Sequence, residues 1–210
     1  MTISVFKRYS HWAPLCGITL LSVIFELFGA QGRTSFAYQN SLIESSQFWR
    51  AITGHFTHLG WSHLFLNIAG LIGVWGLYGK VFRPIGWGVL LIFCALAISL
   101  GFYIFDPNIQ TYVGLSGVLH GLLAAASITS LAKNINDPQS GFPIEDVFVL
   151  VGLCLKISYE QYAGAIPFTG ALSGGAVVVN AHLYGALSGG LAGLAIMAGT
   201  LLRRPIKTSR

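Results

Sequence analysis

Ser116 lies in Gly114-Leu115-Ser116-Gly117, at the start of a long apolar run. Gly114 and Gly117 permit a tight turn there, and a helix beginning at that point aims unpaired amide protons and a positive dipole end at any anion formed beside it. A hydroxyl so placed serves either as a nucleophile or as a helix N-cap. A nucleophile needs a base. His120, four residues on, shares the helical face of Ser116, so its ring lies along its own turn. His182 comes from a separate segment and can face the hydroxyl across a packing seam, which makes it the preferred general base and acid.

His63 and Asn67 are spaced i, i+4 and project from one helical face. With the Ser116 amide they can donate hydrogen bonds to an oxyanion, or they can clamp two helices together. No carboxylate is expected at this depth, so a Ser-His dyad is expected rather than a triad. His55, His58 and His63 form a dense H-x-x-H-x-x-x-x-H run, but no acidic ligand accompanies it. Neither a metal nor a cofactor is expected.

The elements that must carry these groups follow from composition. Of 210 residues, 54% are hydrophobic and 9% charged, against roughly 25% charged in soluble domains. The mean hydropathy is +0.68. A water-soluble globule and a disordered chain are both excluded. The net charge of +5 is not a nucleic-acid footprint, because the basic residues sit in short clusters at the ends of apolar runs. Cys16, Cys94 and Cys154 are widely spaced inside apolar stretches and read as small buried hydrophobes, neither a disulfide framework nor a metal site.

Apolar segments at about 12–29, 61–79, 85–105, 113–132, 146–162 and 177–202 predict six transmembrane helices in one domain covering 1–210. The first is longer than a signal-peptide core and lacks a cleavage site, so it reads as an anchor. Prolines fall at or near segment ends, where a missing amide proton costs least. Lys7, Arg8, Lys80, Arg83, Lys133, Arg203, Arg204, Lys207 and Arg210 then lie on one side, which places both termini in the cytoplasm. The connection over about 30–60 is long for a loop and is expected to be embedded, with short helices of its own. Ser116, His63, Asn67 and His182 fall within two turns of the outer face. Glu26 and Lys156, near outer helix ends, are expected to snorkel to the headgroups. The spacing of Gly185, Gly189 and Gly193 suits close helix packing.

Taken together, these residues resemble the rhomboid intramembrane serine proteases. The likeness rests on Trp49-Arg50, His58, the pair His63 and Asn67, Gly114-Leu115-Ser116-Gly117, and Ala181-His182-Leu183-Tyr184-Gly185 followed by Gly189, in the family's order. It implies a six-helix bundle, Ser116 as nucleophile, His182 as base, an oxyanion site of His63, Asn67 and the Ser116 amide, and a structural role for Trp49-Arg50. The run Y-V-G-L-S-G-V-L-H-G at 112–121 is most similar to the rhombosortases, which remove a Gly-Gly-containing C-terminal membrane tail from exported bacterial proteins. Many rhomboids carry a tyrosine, stacked on the catalytic histidine, where this chain has His120.

The expected activity is therefore hydrolysis of a peptide bond in a membrane-anchored protein, near the outer face of the bacterial inner membrane. Residues 163–176 are expected to cap the site, and the fifth helix to gate it sideways. A transporter would show repeated halves or a polar path, and neither is present. A non-catalytic binder of membrane helices is the other reading; retention of both Ser116 and His182 argues against it.

Overall fold

A computed structural model describes residues 10–137, 139, 141–167 and 169–202. Both chain ends, with Lys7, Arg8, Arg203, Arg204, Lys207 and Arg210, lie outside the described residues, as do Pro138 and Pro205. A single 3-10 turn, Ser10–Trp12, leads into α1 (Ala13–Leu27) and α2 (Gly29–Phe36). Next come β1 (Tyr38–Gln39), the short helices α3 (Asn40–Glu44) and α4 (Arg50–Thr53), and the long helices α5 (Trp61–Tyr78) and α6 (Pro84–Phe105). The chain continues through β2 (Thr111–Tyr112), α7 (Ser116–Ile135), α8 (Ile144–Ala163), the short α9 (Thr169–Ser173) and α10 (Val179–Leu202).

Helices thus occupy all six apolar segments. Three of them, α6, α7 and α10, are long and apolar enough to cross a bilayer, and α1 with α2 makes a fourth candidate span, bent by 111°. Of the other two long helices, α5 is only 18 residues long and carries His63 and Asn67, and α8 is less apolar because of Glu145, Asp146, Lys156 and Glu160. α6 is apolar all round and begins on Pro84, which lacks only an amide proton that a first turn leaves unpaired. Its Trp87, Leu91, Cys94 and Ile98 are buried, while Ile85, Val89 and Phe105 stay exposed. In water such exposure would be unfavourable; in a bilayer it is the lipid-facing surface.

The tightest contact in the bundle is a seam of small residues between α7 and α10. Gly185 sits on the Gly117 carbonyl and Gly189 on the Gly121 carbonyl, leaving no room for a β-carbon at either position. A β-carbon on Gly117 would in turn lie 2.8 Å from the Ala181 carbonyl oxygen, and one on Gly193 3.0 Å from that of Ala125. Lipid chains are as apolar as leucine, so close backbone approach, rather than hydrophobic burial, draws such helices together. The seam places His182 beside Ser116.

Three expectations need correction. The fourth helix starts at Ser116 instead of 113, because Gly114 adopts φ +125° and its amide is held by the Gly54 carbonyl at 3.1 Å. Cys94 is buried, but Cys16 and Cys154 lie exposed on their helices. Glu26 does not snorkel: the bend between α1 and α2 brings Arg33 back over it, Nη1 to Oε1 being 3.4 Å, and Glu26 is buried.

Candidate active site

The turn before Ser116 is held from three directions. β1 and β2 pair antiparallel, Tyr38 with Tyr112 and Gln39 with Thr111, and so tie the long first connection to this turn. The Tyr112 hydroxyl donates to the Gly114 carbonyl at 2.7 Å. Beneath them, the buried Arg50 guanidinium donates to the carbonyls of Ala37 (2.9 Å) and Thr34 (3.1 Å) and to Gln47 Oε1 (2.7 Å). Trp49 is exposed, so it is Arg50 of the pair that braces this connection.

Ser116 is the first residue of α7, and its side chain makes no capping bond. Its hydroxyl lies 2.9 Å from His182 Nε2. His182 is the fourth residue of α10, whose start is fixed by Asn180 and Tyr184, both donating to Asp106 Oδ2, at 2.8 and 2.5 Å. The His120 ring stacks on the His182 ring, with centroids 4.2 Å apart and planes 18° apart. His120 Nδ1 donates to the Ser116 carbonyl at 2.7 Å, which is the local pairing along one turn expected from its spacing. An imidazole thus does the stacking at this position, and Ser116 and His182 still meet.

His63 packs against Gly114, where a β-carbon would come within 2.8 Å of the ring. Its Nδ1 accepts from the Leu59 amide at 3.4 Å, and Asn67 Nδ2 donates to the His63 carbonyl at 3.0 Å. Both side chains, with Ser116 and His182, line one cavity of about 740 Å³. The structure therefore brings Ser116, His182, His63, Asn67, Gly114, Gly117 and His120 to one place. Of the other two histidines in that run, His55 Nε2 meets Ser99 Oγ at 3.2 Å. His58 Nδ1 meets the Phe56 carbonyl at 3.1 Å, and its ring stands edge-on to that of His63 with centroids 5.1 Å apart, so His58 packs behind His63 and His55 faces a different helix.

The sequence reading missed a carboxylate and a cation. Glu160 of α8 is buried, with Oε2 2.8 Å from His182 Nδ1. Its Oε1 accepts from Lys156 Nζ at 2.7 Å, and Nζ also lies 3.4 Å from His182 Nδ1. The layer expected to lack a carboxylate has one, and Lys156 turns inward rather than to the headgroups. The available signal was the i, i+4 spacing of a Lys and a Glu on an otherwise apolar helix, a pair that can neutralise itself inside. Ligand atoms of His120, Glu160 and His182 lie within 4.8 Å of one another. They do not fit a metal: stacked rings point their in-plane lone pairs side by side, and both His182 nitrogens already have partners.

A hydroxyl against an imidazole, beside amide donors and an apolar cavity, is an arrangement suited to acyl transfer. A rhomboid domain matches residues 45–199, nearly three quarters of the chain. The chain belongs to the rhomboid family. Rhomboids are generally intramembrane serine proteases acting on membrane proteins, and this one is similar over 100 residues, at 34% identity, to the rhomboid protease GluP of Bacillus subtilis strain 168. It is also 34% identical over 97 residues to the inactive RHOMBOID-like protein 8 of Arabidopsis thaliana. Each alignment covers 46% of this rhomboid, but only 19% of the first relative and 27% of the second. The matched domain holds Ser116, His182, His63, Asn67, His120, Lys156 and Glu160 together with Arg50.

Proposed function

We propose that this rhomboid is an active endopeptidase in which Ser116 and His182 hydrolyse a peptide bond of a membrane-anchored protein. The observation that carries this reading is the 2.9 Å contact between Ser116 Oγ and His182 Nε2 at the wall of the cavity. Ser116 Oγ attacks the scissile carbonyl carbon while its proton passes to Nε2, and the carbonyl electron pair moves to oxygen. The Ser116 amide, His63 and Asn67 hold that oxyanion. The C–N bond then breaks as His182 returns the proton to the leaving amine. Water attacks the acyl-enzyme by the same route in reverse, restoring Ser116.

All six long helices cross the bilayer in this reading, residues 1–210 form one domain, and both termini are cytoplasmic in a bacterial inner membrane. Lys80, Arg83 and Lys133 support it, since they follow or close helices at the end opposite Ser116. Gly174, Gly175 and Ala176 line the cavity and cap it, and α8 closes it sideways against α5. The substrate class is that of the rhombosortases, a C-terminal tail with a Gly-Gly motif. A helix offered to Ser116 must first unwind, and glycine lowers the cost of unwinding by about 1 kcal/mol per residue relative to alanine.

Two measurements test the proposal. A fluorophosphonate should label the folded protein and not its Ser116→Ala variant. Exported proteins with Gly-Gly tails should keep those tails in cells lacking this chain. The inactive relative gives the competing reading of a non-catalytic helix binder its one support; a folded protein with no Ser116-dependent adduct would establish that reading instead.

A further inference from the structure

We infer that Glu160 is a positioning residue that converts the Ser116–His182 pair into a Ser-His-Glu triad, with Lys156 setting which carboxylate oxygen His182 receives. This rests on the endopeptidase reading above and goes beyond it, since a serine and a histidine alone suffice for that chemistry. A carboxylate only accepts hydrogen bonds and an ammonium only donates them. Lys156 Nζ binds Glu160 Oε1 at 2.7 Å, leaving Oε2 to His182 Nδ1 at 2.8 Å. Nδ1 must then carry its proton, and a neutral ring so protonated presents a bare lone pair at Nε2 to the Ser116 hydroxyl. The ammonium lies farther from Nδ1, at 3.4 Å, and as a donor it cannot bond a protonated Nδ1.

The arrangement also has an electrostatic logic. Proton transfer from Ser116 makes an imidazolium of the buried His182 ring, and a carboxylate at the opposite nitrogen stabilises it. Glu160 is 2% exposed. A lone carboxylate that deep would be costly, and Lys156 offsets the cost from one turn away on the same helix. Because α8 carries both residues, the tautomer of His182 depends on how α8 is seated.

The test is the rate constant for fluorophosphonate labelling of the full-length protein, which needs no identified substrate. Attack by Ser116 forms the O–P bond, fluoride leaves, and the proton goes to His182. In Glu160→Gln the carboxamide oxygen is claimed by Lys156, so its NH2 faces Nδ1 and forces the unproductive tautomer; labelling should slow by about 10²–10⁴-fold. In the Lys156→Met/Glu160→Gln double variant the carboxamide is free to turn its oxygen to Nδ1–H, and labelling should recover at least about tenfold over Glu160→Gln. A merely structural ion pair predicts no recovery. Labelling of Glu160→Gln within about threefold of wild type, or a double variant no faster than the single, overturns the inference while leaving the endopeptidase reading intact. A wild-type protein that does not label sinks the endopeptidase reading itself. Should Glu160→Gln not fold, nitrogen-15 histidine spectra of the wild type decide: a far-downfield proton on His182 Nδ1 is expected, and protonation at Nε2 alone overturns the triad.

Discussion

Ser116 Oγ and His182 Nε2 stand 2.9 Å apart although 66 residues separate them along the chain. What brings them together is the seam of small residues beside them, Gly117 next to Ser116 and Ala181 next to His182. Gly117 faces the Ala181 carbonyl and Gly185 faces Gly117, so the two backbones meet almost directly.

Gly189→Val should therefore lower stability by about 1–3 kcal/mol or more, because the new side chain meets the Gly121 carbonyl, which cannot yield without parting the helices. Unfolding in micelles, followed by circular dichroism, measures it. Gly73→Ala on α5, where nothing lies within 4 Å, should be neutral or stabilising by up to about 1 kcal/mol. Equal effects of the two changes would show that the seam is not what holds α7 to α10.

Asn67→Ala is expected to reduce kcat by about 10²–10³-fold with KM nearly unchanged, since an oxyanion donor acts in the transition state. Steady-state cleavage of a membrane peptide reads this directly. A change confined to KM would assign Asn67 to substrate binding, and a change confined to thermal stability would assign it to an interhelical clamp.

Arg50→Ala should destabilise the fold by about 1–3 kcal/mol or more, as the buried Ala37 carbonyl and the part-buried Thr34 carbonyl lose their donor. Arg50→Lys should restore only part of it, because an ammonium cannot span three acceptors in a planar fork. Melting temperatures of the three proteins give the comparison. Indistinguishable temperatures would remove the brace from under the Ser116 turn.

Cross-linking α5 to α8 through introduced cysteines, in a background free of Cys16, Cys94 and Cys154, should abolish cleavage of a transmembrane substrate and leave fluorophosphonate labelling near wild type. Residues of both helices line the cavity, as do residues 174–178. Cleavage unaffected by the cross-link would mean that substrates reach Ser116 by another route.

Much of this molecule is written along the chain. Apolar length located the helices to within about three residues, and the i, i+4 spacing put His63 and Asn67 on one face before any packing was known. The same rule required Lys156 and Glu160 to share a face. Which way that face turns was not decidable from hydropathy, because lipid and bundle interior are equally apolar and so exert no preference on the rotation of a helix such as α8. Packing against α7 and α10 made that choice, and it carried a carboxylate to His182. Glu26 followed the same course, since only the bend after Leu27 could bring Arg33 within reach of it. Local chemistry is set by residue type and spacing; rotation and bending, which bring charges together from separate turns, are set by contacts that exist only once the helices have met.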